Sequence, residues 1–226
     1  MIIVKNLHKI YRTKEVETPV LRGIDLKVGE GEFLGIMGKS GAGKSTLMYQ
    51  IGLLDHPTSG EIILNGISTE SLSTEERTNI RLLILGYVFQ DYALIPELSA
   101  SENVMIPLLM QGKSMLEAKG VAEETLRRVG LEHRKDNKPS QLSGGEQQRV
   151  AIARAVAHNP KILFADEPTA NLDTISGTSI IELFRDLNKK GQTIVMVTHE
   201  DEYAKYCNRI VHLEDGKIVQ ETKQKQ

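Results

Sequence analysis

The sequence is poor in cysteine and aromatic residues. Its 226 residues include one cysteine, no tryptophan and only 4% aromatic residues in total. The single cysteine, Cys207, cannot form an internal disulfide, and it excludes a zinc module built from several cysteines. Both facts suit a reducing compartment. We expect Cys207 to be a small, partly buried apolar residue rather than a catalytic thiol.

The chain also lacks a charge excess of either sign. Lys and Arg number 28 and Asp and Glu number 30, which leaves a formal net charge of -2. This balance offers no general affinity for nucleic acid or an acidic membrane surface, so a polyanion would need a local site. Hydrophobic residues at 40% and charged residues at 26% are typical of a globular protein and exclude extended disorder. The length predicts one domain, or one domain with a subdomain.

Long apolar runs are missing as well. The apolar stretches at 82–89 and 104–110 are far shorter than the roughly 18 to 20 residues that a membrane span needs. Residues 1–11 alternate between apolar and polar, as in a strand, and lack the features of a signal peptide. We therefore expect no export and no direct membrane insertion, so that a membrane role requires a partner. The polar tail Glu221–Gln226 is expected to be frayed.

The apolar pattern predicts an α/β protein with an inserted helical block. Strand patterns in 1–37 lead into a glycine-rich loop at 38–43 and then a helix. Helical patterns dominate residues 91–157, with helix starts expected at Ser101 and Ser143. We interpret this block as a helical subdomain within a core formed by residues 1–90 and 158–226. Strands and helices alternate again after Pro160, so we expect a largely parallel sheet covered by helices. Ligands bind such sheets at the carboxyl ends of the strands.

Residues 38–45, GKSGAGKS, match the phosphate-binding pattern G-x-x-x-x-G-K-[ST], between a predicted strand and a predicted helix. The glycines let successive amides converge on an anion, and the helix start adds its dipole. Lys44 can reach the β and γ phosphates, and the Ser45 hydroxyl can hold Mg²⁺. Lys39 fills an unspecified position; it is either a solvated surface charge, which we favour, or a further phosphate neighbour.

The apolar run Ile162–Ala165 ends in two carboxylates, Asp166 and Glu167. Beside a phosphate loop in the same sheet, Asp166 would hold Mg²⁺ through water and Glu167 would polarise the attacking water. Taken alone, two acids after a strand more often form a solvated loop. The phosphate loop favours the catalytic interpretation.

Residues 142–149, LSGGEQQR, resemble the signature sequence of the ATP-binding-cassette (ABC) ATPases, and the resemblance covers essentially the whole chain. Ser143 and the amides of Gly144 and Gly145 open a helix and so present a second anion site, although alone they would be an ordinary helix cap. The resemblance implies a single ABC ATPase domain over residues 1–226. Its fold would be that of a P-loop NTPase of ABC type, with a mostly parallel sheet core, an N-terminal antiparallel β part and the inserted helical subdomain.

Four further positions take their roles from this resemblance alone. Tyr11 corresponds to the aromatic residue that stacks on adenine, and Gln90 to the glutamine that reaches Mg²⁺ and the attacking water. Asp173, in Asn171–Asp173, belongs to the loop that communicates between subunits, and His199 corresponds to the histidine at the γ phosphate. Each would be unremarkable in isolation, as a surface tyrosine, a strand-end glutamine, a polar turn and a capping or core histidine.

The resemblance therefore implies ATP and Mg²⁺ as ligands and assigns the site residues in three groups. The catalytic residues would be Glu167, His199, Gln90 and Lys44. The metal ligands would be Ser45, Gln90 and Asp166. The nucleotide would be bound by Tyr11, Gly38, Lys39, Ser40, Gly41, Ala42, Gly43, Lys44, Ser45, Thr46, Ser143, Gly144, Gly145, Gln147 and Asp173.

In this family one chain cannot bring its own phosphate loop and signature segment around one nucleotide. The resemblance thus implies a two-fold dimer that encloses two ATP molecules. It also implies an ATPase subunit that is peripheral on the cytoplasmic face of the cell membrane and drives a separate integral permease. The segments Glu167–Asp173 and Gly86–Gln90, the latter followed by residues 94–96, are most similar to the MacB, LolD and FtsE group, which works in export or mechanotransmission.

Other functions stay open at this point. One is a soluble ABC ATPase of DNA repair or translation, although the chain has none of the coiled-coil insertions, zinc cysteines or second cassette that would favour it. Others are an FtsE-like regulator of cell-wall remodelling and a regulatory module that seldom hydrolyses ATP, against which Glu167 and His199 argue. The apolar segment Asp91–Pro96 fits a docking groove and buried packing equally well.

Overall fold

The computed structural model of the chain describes residues 1–13 and 15–224. Within these residues the strands are β1 (Ile2–Arg12), β2 (Glu17–Val28), β3 (Phe33–Met37), β4 (Ser59–Leu64), β5 (Ile67–Ser68), β6 (Leu85–Val88), β7 (Ile162–Asp166), β8 (Thr193–Val197), β9 (Arg209–Glu214) and β10 (Lys217–Lys223). The α-helices are α1 (Lys44–Ile51), α2 (Thr74–Ile84), α3 (Ala100–Met110), α4 (Met115–Arg128), α5 (Gly144–Val156), α6 (Thr174–Lys189) and α7 (Asp201–Ala204). Short 3-10 helices cover Glu132–Arg134 and Pro139–Gln141.

The strands form two sheets. One is antiparallel, with the order β2-β1-β4-β5, and the other has the order β10-β9-β3-β8-β7-β6. In the second sheet β9, β3, β8, β7 and β6 are parallel, and only β10 pairs antiparallel, with β9. Every residue of β3, β7 and β8 is buried, as expected for parallel strands covered on both faces. The predicted fold class is confirmed.

The register of the parallel sheet aligns three strand ends. Val197 of β8 lies opposite both Ile36 of β3 and Asp166 of β7. Chain segments that leave these strands therefore emerge at one edge of the sheet. This alignment places the loop after β3, the turn after β7 and the loop after β8 side by side.

The helices between β6 and β7 surround an apolar cluster of their own. Its members include Val104 and Leu108 of α3, Leu126 of α4 and Val150 of α5. Because these helices bury their apolar faces mainly against one another, they form a small helical layer beside the parallel sheet.

Serine caps begin all three helices of this layer. Ser99, Ser114 and Ser143 each accept a hydrogen bond from the amide of a glutamate three residues later, and that glutamate bonds back to the amide of the serine. This reciprocal capping box satisfies amides that the first turn leaves free. The sequence predicts the first of these helix starts at Ser101, but Ser99 forms the capping box, so α3 begins earlier.

The C-terminal tail differs from its prediction. Strand β10 continues through Lys223, so the part of the predicted frayed tail from Glu221 onward is paired, and the amide of Gln224 donates to the carbonyl of Asn208 at 2.9 Å. The Arg209 guanidinium also lies 3.0 Å from the Glu221 carboxylate. Backbone pairing needs no apolar side chains, which is why the polar composition was misleading. Residues 225–226 lie outside the described part of the chain.

Neither apolar stretch singled out in the sequence forms a long helix. Residues 82–88 are divided between the end of α2 and β6, Phe89 follows β6, and residues 104–110 lie in α3. In the described ranges, 1–13 and 15–224, no helix combines the length and the apolar character that crossing a membrane requires.

The cysteine is part of the core. Cys207 is 2% exposed and lies against Gly35 of β3, where a Cβ atom would come within 3.0 Å of its sulfur. Burial raises the pKa of the Cys207 thiol, so the reactive thiolate is disfavoured. The expectation of an apolar filler is confirmed.

Candidate nucleotide-binding site

The glycine-rich loop between β3 and α1 has a backbone that only glycine adopts easily. Gly38, Gly41 and Gly43 have positive φ values of 147°, 80° and 98°. A Cβ atom on Gly38 would lie 2.2 Å from the carbonyl oxygen of Leu213. Gly43 caps α1, and no side chain of the described residues bonds to the first amides of that helix. The loop therefore leaves backbone N–H groups for an anion.

Lys44, the first residue of α1, carries a buried ammonium group. Its side chain is 7% exposed, and its Nζ atom donates to the carbonyl of Lys39 at 3.2 Å and lies 4.0 Å from Oε1 of Glu167. A buried cation is costly unless anionic groups surround it. Because the Glu167 carboxylate is at the limit of an ion pair, Lys44 is well suited to bind a further anion.

Asp166 ends β7 and is held by two hydroxyl donors. The Ser45 hydroxyl donates to Oδ1 at 2.9 Å, and the Tyr49 hydroxyl donates to Oδ2 at 2.8 Å. Burial raises the pKa of Asp166, and the two hydrogen bonds oppose this effect by favouring the carboxylate. The structure thus brings Ser45 and Asp166, two of the predicted metal ligands, into direct contact.

The donor set at Asp166 fits magnesium. Mg²⁺ prefers oxygen ligands and is commonly bound by one or two protein groups together with substrate phosphates. Ser45 and Asp166 supply a hydroxyl and a carboxylate beside the phosphate loop. Over residues 1–13 and 15–224 there is no cluster of three or more His, Cys, Asp or Glu residues that could hold a metal ion without a substrate. The site therefore suits an ion that arrives with a phosphate.

Glu167 and His199 form a pair at the same sheet edge. Oε2 of Glu167 lies 3.2 Å from Nδ1 of His199, whose side chain is 56% exposed. The backbone of Glu167 has a φ of 43°, which is uncommon for a residue with a side chain, and its amide donates to the carbonyl of Val197 at 3.0 Å. Strained conformations of this kind concentrate at functional sites. Here the turn directs the carboxylate toward Lys44 and His199.

A cavity of about 490 Å³ lies between these groups. This volume is within the usual range for small-molecule sites. Its lining residues are Met37, Gly38, Lys39, Ser40, Lys44, Glu167, His199, Asp201 and His212. Six of them are predicted site residues, so the structure gathers these motifs around one space. Lys39 is both exposed and part of the lining, and both of its proposed roles fit this position.

The remaining residues predicted to surround the phosphates and the base lie outside this lining. Tyr11 of β1 is 42% exposed, and its hydroxyl donates to Asp55 at 2.9 Å. Gln90 is exposed after β6, and its carbonyl accepts a hydrogen bond from Asn171 at 3.0 Å. Gly41, Ala42, Gly43, Ser45 and Thr46 continue the loop into α1. In the described part of the chain, the Gln90 side chain makes no hydrogen bond to Asp166.

The predicted signature residues lie at the start of α5. Ser143 caps this helix, and Gly145 faces Ser176, whose Oγ atom would be 3.2 Å from a Cβ on that glycine. Gln147 donates to the carbonyl of Leu142 at 3.1 Å, and Asp173 caps α6 by accepting from the amide of Ser176 at 3.0 Å. The starts of α5 and α6 are therefore neighbours, and none of these residues lines the cavity at Lys44.

Several polar residues near the site were not predicted from the sequence. Asp201 and His212 line the cavity, and Tyr49 contacts Asp166. Tyr49 follows Ser45 by one helical turn, a spacing that puts both side chains on one face of α1 and could have revealed it. The contact of Asp55 with Tyr11 joins residues 44 positions apart and has no local signal.

Asp55 is the centre of a polar network below Tyr11. Lys9 donates to its carboxylate at 2.9 Å and also lies 4.6 Å from the centre of the Tyr11 ring. Burial opposes ionisation, but hydrogen bonds from Lys9, the His56 amide and Tyr11 lower the pKa of Asp55 to about 2. The network holds the Tyr11 side chain in place through Asp55 and Lys9.

A phosphate loop at the carboxyl edge of a mostly parallel sheet, with a hydroxyl and a strand-end carboxylate in contact beside it, defines a P-loop nucleoside triphosphatase. The ABC transporter family matches residues 21–170 of the chain. The chain belongs to this family, and it is an ABC ATPase cassette.

Two relatives and one solved structure sharpen this assignment. The chain is 46% identical over 219 residues to the lipoprotein-releasing system ATP-binding protein LolD 2 of Caulobacter vibrioides, and the alignment covers 96% of each chain. It is also 46% identical over 225 residues to the macrolide export ATP-binding/permease protein MacB of Syntrophobacter fumaroxidans, covering 98% of this chain but only 32% of that protein. These matches confirm the predicted likeness to the MacB and LolD group.

The solved structure is a dimer of an ATP-binding cassette in a post-hydrolysis state, bound to ADP and inorganic phosphate. It superposes with a TM-score of 0.93 at 44% sequence identity, and the match covers 100% of both chains. The similarity therefore extends to the whole cassette, including the helical layer.

Proposed function

We propose that two copies of this chain enclose two ATP molecules, hydrolyse them, and use the closure and opening of the dimer to drive a separate membrane permease. The observation that carries this proposal is the convergence of Lys44, Glu167 and His199 on one cavity, with the Ser45 and Asp166 pair beside it.

In this function the loop amides and Lys44 would bind the phosphates of ATP. Ser45 and Asp166 would hold Mg²⁺, which supplies positive charge against the β and γ phosphates when bound. Glu167 would accept a proton from the attacking water or orient it, and His199, 3.2 Å away, would fix the direction of that carboxylate. Gln90 would have to move toward Asp166 to join them.

The dimer would complete the site. Ser143, Gly144 and Gly145 do not line the cavity of their own subunit, so they are available to a second copy. In a two-fold arrangement the start of α5 in each subunit would face the phosphate loop of the other. The γ phosphate would then touch both subunits, and its loss on hydrolysis would remove the binding energy that favours the closed dimer. The dimeric cassette with ADP and phosphate supports this arrangement.

An apolar groove would receive the permease. It has a volume of about 360 Å³, and its apolar lining includes Leu82, Phe89, Ile95, Ile106, Pro107 and Met110. The groove lies between the end of β6 and α3, so a segment seated there would contact both the sheet and the helical layer. Arg154 supports one wall by donating to the carbonyl of Tyr92 at 2.9 Å. This position favours the docking role for segment 91–96, whose residues Ala93 and Ile95 line the groove.

This docking would make the chain peripheral on the cytoplasmic face of the membrane. The ATP-binding relative LolD belongs to a lipoprotein-releasing system, and the MacB relative combines ATP-binding and permease parts in one protein. We therefore infer a role in export or mechanotransmission, with the substrate selected by the permease.

The variant Glu167→Gln tests the assignment. It should bind ATP and form a dimer that size-exclusion chromatography detects. It should hydrolyse ATP on the order of 100-fold more slowly than the wild type, because the general base is lost. Glu182→Gln, which neutralises an exposed glutamate on α6, is the matched control and should hydrolyse ATP like the wild type. Fast hydrolysis by Glu167→Gln would refute the catalytic assignment, and a Glu167→Gln protein that stays monomeric with ATP would refute the dimer.

The groove has its own test. Met110→Glu places a charge on a side chain that is 63% exposed at the groove, and it should prevent co-purification with the permease while leaving basal ATP hydrolysis intact. Met115→Glu, on an equally exposed methionine of α4, should have no effect. Unchanged co-purification of both variants would contradict the docking site.

A further inference from the structure

We infer that Tyr49 is a positioning residue for the divalent metal, acting through Asp166. This inference rests on the proposed function, in which Asp166 and Ser45 hold Mg²⁺. Tyr49 does not need to touch the ion or the nucleotide. Its role is to hold the metal-binding carboxylate in one orientation.

The geometry of α1 places two donors on the same carboxylate. Ser45 and Tyr49 are separated by one helical turn, so their side chains project from one face of the helix. The Ser45 hydroxyl donates to Oδ1 at 2.9 Å and the Tyr49 hydroxyl donates to Oδ2 at 2.8 Å. Because both oxygens are held, rotation of the carboxylate is restricted.

The two donors differ in what else they serve. Ser45 is itself a proposed metal ligand, so its oxygen would bind the ion while its hydroxyl proton is donated to Asp166. Among the residues that the structure describes, the Tyr49 hydroxyl bonds only to Asp166, and its ring packs against the large apolar cluster under the phosphate loop. Because packing of the ring fixes the position of its hydroxyl group, Tyr49 can hold the Asp166 carboxylate in place whether or not the metal is bound.

Burial makes this support important. Asp166 is only 6% exposed, so little water can reach its two oxygens, and the hydroxyls of Ser45 and Tyr49 supply the hydrogen bonds that water would otherwise make. Residues that orient a metal ligand from behind generally contribute 10- to 100-fold, as an order of magnitude, to metal affinity.

The variant Tyr49→Phe removes the donor and keeps the ring. We expect the dissociation constant of a non-hydrolysable ATP analogue, AMP-PNP, to rise about tenfold or more in the presence of Mg²⁺ and to stay within twofold of wild type, roughly, in EDTA. A titration of the protein and AMP-PNP with Mn²⁺, followed by electron paramagnetic resonance, should show the same loss of affinity directly for the metal.

Tyr87→Phe is the matched control. The Tyr87 hydroxyl donates to the carbonyl of Gly52 at the other end of α1, so this variant makes the same chemical change in contact with the same helix. It should lower thermal stability without changing the Mg²⁺ dependence. Ser45→Ala, which removes a proposed ligand, should abolish the Mg²⁺ dependence of AMP-PNP binding.

Three results would overturn the inference. They are an unchanged Mg²⁺ and Mn²⁺ affinity in Tyr49→Phe, an equal loss of AMP-PNP affinity with Mg²⁺ and with EDTA, and an equal shift of the metal dependence in Tyr87→Phe. Failure of the proposed function gives a different result, since wild-type AMP-PNP binding would then be indifferent to Mg²⁺.

Discussion

The cavity at the sheet edge and the start of α5 are built on opposite principles. At the sheet edge, contacts within the chain join the functional groups: Ser45 bonds to Asp166, and His199 lies beside Glu167. At the start of α5, Ser143 is exposed, and within residues 1–13 and 15–224 it bonds only inside its own helix cap. The fold of one chain assembles the first region, whereas the second is the capped start of a single helix. The difference shows that one chain alone assembles the groups of the sheet-edge cavity. The start of α5 can contribute to the proposed reaction only when it faces the cavity of a second subunit.

Among substitutions that test this comparison, we expect the largest effect on ATP hydrolysis at Lys44, which lines the cavity at the sheet edge. Lys44→Ala removes the buried cation that faces the cavity, and ATP hydrolysis should fall on the order of 100- to 1,000-fold because the phosphate charge loses its stabilisation. ATP affinity, measured by isothermal titration calorimetry, should fall with it.

Lys39 is the natural control, since it lines the same cavity but is exposed. Lys39→Ala should change the rate of hydrolysis by no more than about threefold if its charge is solvated. An effect as large as that of Lys44→Ala would make Lys39 a phosphate-binding residue.

An intermediate effect is expected at Ser143. Ser143→Ala should weaken ATP-dependent dimerisation about tenfold, because a hydrogen bond to a charged phosphate is lost, and should also reduce stability by about 1 kcal/mol through loss of the helix cap. Analytical ultracentrifugation and urea unfolding measure the two effects.

Ser114→Ala separates them. Ser114 caps α4 with the same reciprocal box, so its loss should reduce stability equally and leave dimerisation alone. Equal weakening of dimerisation in both variants would break the comparison, since Ser143 would then be only a structural cap.

The smallest effect concerns the network below Tyr11. The pKa of Asp55 is lowered from 3.8 to about 2 in the folded chain, so the folded state binds a proton less readily than the unfolded state. Asp55 therefore contributes stability that is fully present above pH 3.8 and is lost as the pH falls toward 2.

Asp55→Asn should reduce the free energy of unfolding at neutral pH by about 1 kcal/mol, and this difference from wild type should shrink through the acid range in urea titrations. Asp186→Asn, on an exposed residue of α6, should show no such pH dependence. A constant difference for Asp55→Asn at all pH values would show that its charge does not contribute.

Patterns over a few consecutive residues correctly predicted the loops, strands and helix caps that depend only on neighbouring residues. The phosphate loop, the strand before Asp166 and the cap at Ser143 each occupy a few consecutive residues, and the structure places them as expected. Contacts between distant residues left no such pattern. Tyr49 and Asp166 are 117 positions apart; the helical spacing puts Tyr49 on the same face of α1 as Ser45, but it does not indicate that Asp166 is the acceptor.

The errors have physical causes of the same kind. The paired tail up to Lys223 depends on the neighbouring strand β9 for its hydrogen bonds, which composition does not reveal. The start of α3 was misplaced because two serines, Ser99 and Ser101, can both cap a helix, and the choice follows from the position of Glu102. The position of the start of α5 outside the cavity likewise depends on how α3, α4 and α5 pack together, which no local pattern reveals.

The buried cysteine gives the chain a reporter of its own. Because Cys207 lies against Gly35 in the strand that leads to the phosphate loop, a thiol reagent reaches it only when that part of the core opens. Because the sequence has a single cysteine, the rate of thiol labelling measures how often the core opens locally around Cys207, and no engineered probe is needed.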